Sequence, residues 1–458
     1  MLYPRVFLAN QASVPYFRLK SFQMKKYLMS AGVFALSPFA QADLVGDSHA
    51  NLGLRNFYFN NDFRDQAGSL GQSKTEEWAQ AFVLDFKSGF TDGLVGVGLD
   101  ALGLMGVTLD SGDGRHRGSS MIPDDGSGAA QQWSRLGLTP KLKVANTELR
   151  YGTLMPKLPV LTYNDGRLLP QTFEGAQITS ADLDGLTLTG GRLNRATGRA
   201  SSDRIGLAVS GGTRESDQFL FAGGDYRIGK QLTAQYYVAN LEDYYTQHFV
   251  GLTHTLPLSE GQSLRTDLRY FRTFADGAND SAAGRASGYR VGGYTEDGDG
   301  KIDNHTWSAG LTYSVQGHAL MAGYQEISDG SNFIQPNQGS LSGKGAGGAS
   351  IYLYTDRMLT SFNRAGERTA FAQYSYDFAA AGVPGLKFSL MYLKGEDIRT
   401  TSGNDASEWE RDVGLDYVIQ DGALKGLGLA WRHGLLHSEI DPNQEQNRLI
   451  VSYTLALF

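Results

Sequence analysis

The sequence predicts an all-β protein, an antiparallel transmembrane β-barrel of about eighteen strands with inward-folded constriction loops. Three observations predict it. Short segments alternate apolar and polar residues with a period of two; tight turns and long polar loops join them in turn; and the bulky apolar parity opposes small, hydroxylic or charged residues. In the last run, Leu449, Val451, Tyr453, Leu455 and Leu457 oppose Arg448, Ser452 and Thr454. From Leu424 to Ser438, Leu427, Leu429, Trp431 and Leu435 share one parity, with Gly428, Ala430, Arg432 and Gly434 on the other. A lipid-facing arginine near the bilayer midplane costs about 2–4 kcal/mol, so the polar parity is expected to face a watery lumen. A soluble sandwich or propeller would bury its apolar parity. Here Trp307, Leu311 and Tyr313 against Thr306, Ser308 and Thr312 favour lipid outside and water inside.

The elements follow in order. Strands starting near Ala50, Trp78 and Leu94 precede a polar loop at 110–131. Strands from Trp133 and Thr147 lead to a loop at 155–175, and strands from Ala176 and Leu186, hinged at Asp184-Gly185, to one at 198–217. Strands from Phe219 and Leu232 turn at Gly229-Lys230; those from Thr246 and Leu264 turn at Ser259–Gln262 and precede loop 277–302. His305 and His318 flank Gln316-Gly317 ahead of the longest loop, 329–365. Arg368 and Leu386 flank Val383-Pro384-Gly385, a loop at 399–407 follows, and Glu410, Leu424 and Arg448 start the last three strands, with Asp421-Gly422 between two of them. Gly, Pro, Asn and Asp supply the backbone angles of such turns. Short turns on one side and long loops on the other are the asymmetry of outer-membrane barrels.

Composition agrees. The 458 residues include 58 glycines and 11% aromatics but no cysteine, which excludes disulfide and thiolate chemistry. No apolar run reaches the ~18 residues of a spanning helix. Lys25 and Lys26, an apolar stretch from Tyr27 to Ala40 broken by Pro38, and Ala40-Gln41-Ala42 read as a secretory signal. Residues 1–42 are therefore expected to be an upstream extension plus signal peptide, with the true start at Met24 and cleavage after Ala42. A single barrel domain is expected over 43–458, without the plug of an energy-coupled transporter. Cleavage removes Arg5, Arg18, Lys20, Lys25 and Lys26 and no acid from a chain of net charge −7, and so acidic a whole argues against nucleic acid as partner.

With the apolar parity outside, the inward cations are Arg55, Arg135, Lys141, Lys143, Arg150, Arg265, Arg269, Arg432 and Arg448. Fixed positive charges along a narrow aqueous path guide anions. Any single one could instead pair with an inward carboxylate, and Asp267 and Asp416 are available. Loop 155–175, MPKLPVLTYNDGRLLPQTFEG, is too apolar for solvent, and Pro156, Pro159 and Pro170 stiffen it. It is expected to fold inward and form the constriction, with Arg167 held by Leu168, Leu169 and Pro170; the alternative is packing on the outer rim. Glu296 to Asp303 resembles an acidic calcium loop but lacks its register and late glutamate, so a solvated turn is expected. Gly343 to Gly348 match no nucleotide-binding pattern, no Ser/His/Asp grouping stands out, and eight scattered histidines have no metal-ligand spacing. No cofactor is expected.

Asp47 to Arg64, Trp78 to Thr91, Gly98 to Asp110, Asn164 to Thr172 (NDGRLLPQT), Ile302 to Trp307 and Val383 to Leu386 resemble the OprD family, the substrate-specific outer-membrane porins of pseudomonads. The resemblance runs from about Asp43 to the end. It implies an eighteen-stranded barrel, monomeric or a loose trimer, with inward loops and a basic ladder for small carboxylate-bearing nutrients. It also implies that Arg167 and Arg192 line the constriction. Parity alone places Arg192 outside, unless a bulge at Gly190-Gly191 resets it. The family's Gly-Asp-Ser-Ile run appears as Gly348-Ala349-Ser350-Ile351, keeping Ser350 but losing the acid, and Gln373, Met391 and Ala430 stand where relatives often carry ladder arginines.

The expected function is passive diffusion of small carboxylate solutes: organic acids, aromatic acids, amino acids or short peptides. The rivals are a barrel enzyme, such as a protease or acyl hydrolase, and a non-conducting adhesin or receptor. The expected location is the Gram-negative outer membrane. Expected partners are its lipids, lipopolysaccharide and the barrel-assembly machinery, to which the terminal Phe458 would speak; its parity is opposite to that of Leu455 and Leu457.

Overall fold

A computed structural model describes residues 44–458 apart from 69–70, 113, 127, 337–349 and 404. The signal segment with its cleavage site, Gly343–Gly348 and Ala349 lie outside the described residues. The first wall strands are β1 (His49–Phe63), β2 (Lys74–Lys87), β3 (Gly96–Asp110), β4 (Gln132–Val144) and β5 (Thr147–Leu154). A small hairpin, β6 (Lys157–Leu158) and β7 (Leu161–Thr162), interrupts the wall. The wall resumes with β8 (Thr172–Leu183), β9 (Leu186–Thr197), β10 (Phe219–Ile228), β11 (Leu232–Leu241), β12 (Tyr245–Ser259) and β13 (Gln262–Ala275). It ends with β14 (Asp303–Val315), β15 (His318–Ile327), β16 (Arg368–Asp377), β17 (Leu386–Ile398), β18 (Ala406–Val418), β19 (Gly428–Ser438) and β20 (Gln444–Ala456).

Eighteen of these strands form one antiparallel sheet in which each pairs with its chain neighbours. The sheet closes where β1 pairs with β20, from Asn51 opposite Ala456 to Phe63 opposite Gln444. Closure leaves no sheet edge in lipid, where an unpaired backbone group costs several kcal/mol. Strands begin within a few residues of the expected positions. The asymmetry of connections has two exceptions on the long-loop side: β11 and β12 are joined by only three residues, 242–244, with Asp243 at φ 67°, and β19 and β20 by five, 439–443. Phe458 lies beyond the end of β20, so strand parity does not govern it. Its carbonyl accepts from Ala50 N at 3.2 Å and its ring centroid lies 6.3 Å from that of Phe86.

Outward residues such as Leu136, Tyr236, Val250, Leu311 and Leu449 are exposed along the wall. The inner face departs from a uniformly wet one. Phe57, Phe59, Leu102, Leu104 and Trp133 point inward and are buried with Met121, Ile122, Leu168 and Leu169 of two loops. A second cluster joins Phe173, Phe219, Phe221, Tyr237, Phe249 and Phe271 of the inner wall to Leu158, Val160, Leu161, Leu207, Val291 and Phe333 of four loops. The long loops therefore have an apolar core of their own inside the barrel.

Candidate functional site

The loop at 155–171 crosses the lumen. Leu158, Val160 and Leu161 at its start are buried in one interior cluster, and Leu168 and Leu169 at its end are fully buried in the other. Between them, Asn164 to Arg167 stay partly open, because the two apolar anchors hold the polar middle across the pore. The expected inward fold of this segment is thus seen, although Thr172 to Gly175 belong to β8 rather than to the loop. Two wall arginines secure it. Arg55 on β1 reaches Asp165 with both Nη atoms (2.8 and 3.2 Å) and donates to the carbonyl of Arg167 at 2.8 Å. Arg135 on β4 donates to the carbonyl of Pro170, and at 2.7 Å each to those of Gly198 and Ser201 in the next long loop.

The loop at 328–367 meets it from the opposite wall. Thr162 and Ser350 form an isolated β-bridge, and Gln335 Nε2 donates to the carbonyl of Pro159 at 2.6 Å. Ser350 Oγ donates to Asp356 at 2.9 Å, as do Ile351 N at 3.1 Å and Ser361 Oγ at 2.8 Å. Glu410, on the inward parity of β18, accepts the backbone N–H groups of Met358 (2.9 Å), Leu359 (3.1 Å) and Thr360 (2.9 Å). A buried carboxylate and three main-chain donors fasten this loop to the wall.

Arg167 lies where these parts converge. Its Nε donates to the carbonyl of Ser119 at 2.7 Å, and its guanidinium lies 4.9 Å from the Phe59 ring centroid. Burial first, then the charges of Arg448 and Arg199, hold this guanidinium well below its ordinary range. Burial with Arg448 likewise brings Arg199 down to about 10. Arg448 on β20 donates to Gln446 Oε1 at 2.6 Å and to the carbonyl of Met358 at 2.7 Å. Among the described residues, neither Arg167 nor Arg448 forms an ion pair; Glu77 lies near Arg167, Asp165 and Asp356 near Arg199, and Glu410 and Asp412 near Arg448, so three like charges converge within a ring of carboxylates.

The remaining inward cations face the lumen as parity requires but differ in engagement. Arg432 pairs with Asp416 at 2.5 Å, and Arg265 and Arg269 share Asp267, each at 3.1 Å. Arg269 also lies between the rings of Tyr352 (4.2 Å) and Tyr354 (3.8 Å). Lys141 is buried, 2.7 Å from Asp100 and 2.8 Å from the carbonyl of Ser88, which makes it a structural tie at the short-turn end. Arg150 pairs with Glu148, and Lys143 lies 5.5 Å from the Phe90 ring centroid.

Arg192 does not line the constriction. It stands directly opposite exposed Leu220, and Gly190 two residues earlier stands opposite exposed Ile178; cross-strand partners share a face, so both point outward. A bulge does exist, but it falls at Asn194, between the pairs Gly175–Leu193 and Glu174–Arg195, one residue too late to turn Arg192 inward. Gln373, Met391 and Ala430 keep the inward parity, opposite Met321, Asp412 and Asp416 respectively. Met391 is buried with Phe362, Phe371 and Leu393 beneath the loop.

Sequence reasoning missed Arg199, Asp356, Glu410 and Asp412. Arg199 and Asp356 lie in loops, which have no parity to read. Glu410 and Asp412 share the inward parity of Asp416 and could have been found by the same alternation that identified the arginines.

A closed antiparallel barrel, apolar outside and narrowed inside by folded loops, is the architecture of an outer-membrane channel. The family model for the outer membrane porins of the OprD family matches residues 42–457. The chain belongs to the OprD family. It is 35% identical to the porin-like protein GalP of Pseudomonas putida over 419 residues, 90% of this chain and 93% of GalP. Porin D of Pseudomonas aeruginosa is 33% identical over 433 residues, 90% of this chain and 92% of that protein. Among solved structures, OccK8 (OprE) of Pseudomonas aeruginosa shares 48% identity at a TM-score of 0.83, covering 91% of this chain and 100% of its own. OpdK of Pseudomonas aeruginosa with vanillate shares 34% identity at a TM-score of 0.79, covering 90% of this chain and 100% of its own. The protein is accordingly a porin of the Gram-negative outer membrane, and not an enzyme.

Proposed function

We propose that this porin passes small carboxylate-bearing solutes by passive diffusion, and that Arg167 engages the carboxylate at the narrowest point. The observation that carries this reading is the convergence of Arg167, Arg199 and Arg448. Buried like charges raise one another's free energy, and an anion between them relieves both the desolvation and the repulsion. A planar guanidinium matches a carboxylate in two parallel hydrogen bonds. Arg167 keeps its Nη2 free for this among the described residues, since Nε and Nη1 are held by the carbonyls of Ser119 and Gly166. Vanillate, the aromatic carboxylate in the OpdK structure, has the chemistry that such a site would accept. Solute moves down its concentration gradient, and the protein works as a single barrel or within a loose trimer.

Liposome swelling with mono- and dicarboxylates, amino acids and sugars tests the class of solute, and planar-bilayer recording with vanillate tests the site. Carboxylates should enter fastest, and vanillate should block the current in the native protein but not in Arg167→Ala. Equal rates for neutral sugars, or block that survives in Arg167→Ala, would show the assignment to be wrong.

A further inference from the structure

Arg192, displaced from the lumen, has no partner among the described residues. It is exposed on the outward face, and among the described residues its guanidinium forms no hydrogen bond or ion pair. Three outward cations at the long-loop end of other strands are neutralised: Arg272 by Asp303, Arg368 by Asp397 at 2.9 Å, Lys394 by Glu396. The nearby Glu174 is already engaged, accepting from Thr153 Oγ1 at 2.7 Å and lying 3.6 Å from Arg204. Arg195 turns to the carbonyl of Asn194 at 2.9 Å.

Arg192 shares its cross-strand row with Tyr151, Ala176, Leu220 and Asn240, at the end of β9 and β10 that carries the long loops. The outward Leu149, Ile178 and Leu188 precede this row, and Thr153, Glu174 and Arg195 follow it toward the long loops, so Arg192 stands where the wall changes from hydrocarbon-facing to polar side chains. Immediately below, toward the bilayer interior, the outer wall is indented by a groove of about 750 Å³. Gly190, Ala222 and Gly224 form its floor, where missing side chains leave room, and Ile178, Leu188 and Tyr236 stand at its sides.

We propose that this groove seats an acyl chain of lipid A and that Arg192 holds a lipid A phosphate. The groove runs along the hydrocarbon-facing wall and ends at a lone cation at headgroup height, which is the chemistry of an amphiphile with an anionic head. The long-loop end belongs to the outer leaflet, whose anionic headgroup is the lipid A phosphate. A guanidinium binds phosphate through two parallel hydrogen bonds. Small residues in a membrane wall can also admit a second barrel, but a symmetric pair would bring two Arg192 side chains toward one another, which like-charge repulsion opposes.

The test is native mass spectrometry of the detergent-solubilised barrel titrated with lipid A, and in a second arm with phosphatidylglycerol. Wild type should retain lipid A in preference to phosphatidylglycerol, and Arg192→Gln should bind it about tenfold more weakly. Ala222→Phe, which fills the groove and leaves Arg192 in place, should weaken it as well. Arg411→Gln serves as the comparison, because Arg411 is another outward cation without an ion pair among the described residues but lies outside the groove. Unchanged retention in Arg192→Gln, equal loss in Arg411→Gln, equal retention of phosphatidylglycerol, or a groove occupied by a second barrel would each overturn the proposal. So would an altered anion selectivity of Arg192→Gln in planar bilayers, which would return the residue to the pore.

Discussion

Arg55, Arg135 and Arg167 share a parity or a loop with other cations, yet their partners separate their roles. Arg55 is spent on Asp165 and the carbonyl of Arg167, and Arg135 on the carbonyls of Pro170, Gly198 and Ser201, while among the described residues the Nη2 of Arg167 forms no hydrogen bond. A hydrogen bond from a charged donor contributes about 1.5–3 kcal/mol, so Arg135→Met, which removes contacts to Pro170, Gly198 and Ser201, should cost several kcal/mol locally. The expected result is a wider, noisier channel with raised single-channel conductance, whereas Arg167→Ala should chiefly reduce anion selectivity, measured as reversal potential in a salt gradient. A channel of unchanged conductance in Arg135→Met would show that this arginine is not what holds the loop. Alternation placed Arg55 and Arg135 on the correct face because a strand's parity is local. Whether a given cation meets a carbonyl, a carboxylate or nothing depends on loops more than a hundred residues away in some cases, as with Arg55 and Asp165.

The lumenal loops are held by few but buried contacts. Glu410 accepts three main-chain N–H groups, so Glu410→Gln, which weakens the acceptor without removing it, should increase open-channel noise, and Glu410→Ala should do so more strongly. Glu367, at the end of the same loop, is raised from 4.5 to about 8, first by burial and then by Glu408, against the opposing pull of the Arg364 backbone and side chain. A carboxyl whose pKa is higher in the folded loop than in the unfolded chain contributes fully below the unfolded value, and that contribution is lost as pH rises through the folded one. Loop stability should therefore fall between pH 4.5 and about 8 and level off above it. Thermal unfolding or channel noise followed across that window should lose much of its pH dependence in Glu367→Gln; an identical profile in the variant would rule this carboxyl out. The inward fold of 155–171 was legible because Pro156, Leu158, Leu161, Leu168 and Leu169 make no sense in water. The matching role of 350–367 was not, since its anchor Glu410 lies in another element and its own sequence is unremarkable in polarity.

At the scale of the molecule, stability rests on closure. β20 pairs with β1 along thirteen residues, Gln444–Ala456, and with β19 on its other side. Removal of β20 would expose two unpaired edges to lipid, so a chain ending at Asn443 should fail to show the shift in gel mobility on heating that marks a closed barrel. A heat-modifiable band from that truncation would mean that β1 can close on β19 instead. The sequence by itself determined the wall: strand number, order, turn positions and the facing of nearly every charged side chain, because alternation and turn chemistry act over a few residues. It also placed Arg192 outside, and the tertiary structure upheld that parity against the role the family likeness suggested, since the bulge falls at Asn194. Only the tertiary structure decided what fills the lumen. The two apolar clusters, the meeting of Thr162 with Ser350, and the convergence of Arg167, Arg199 and Arg448 arise from contacts between distant segments, and their energies depend on burial that no local pattern encodes.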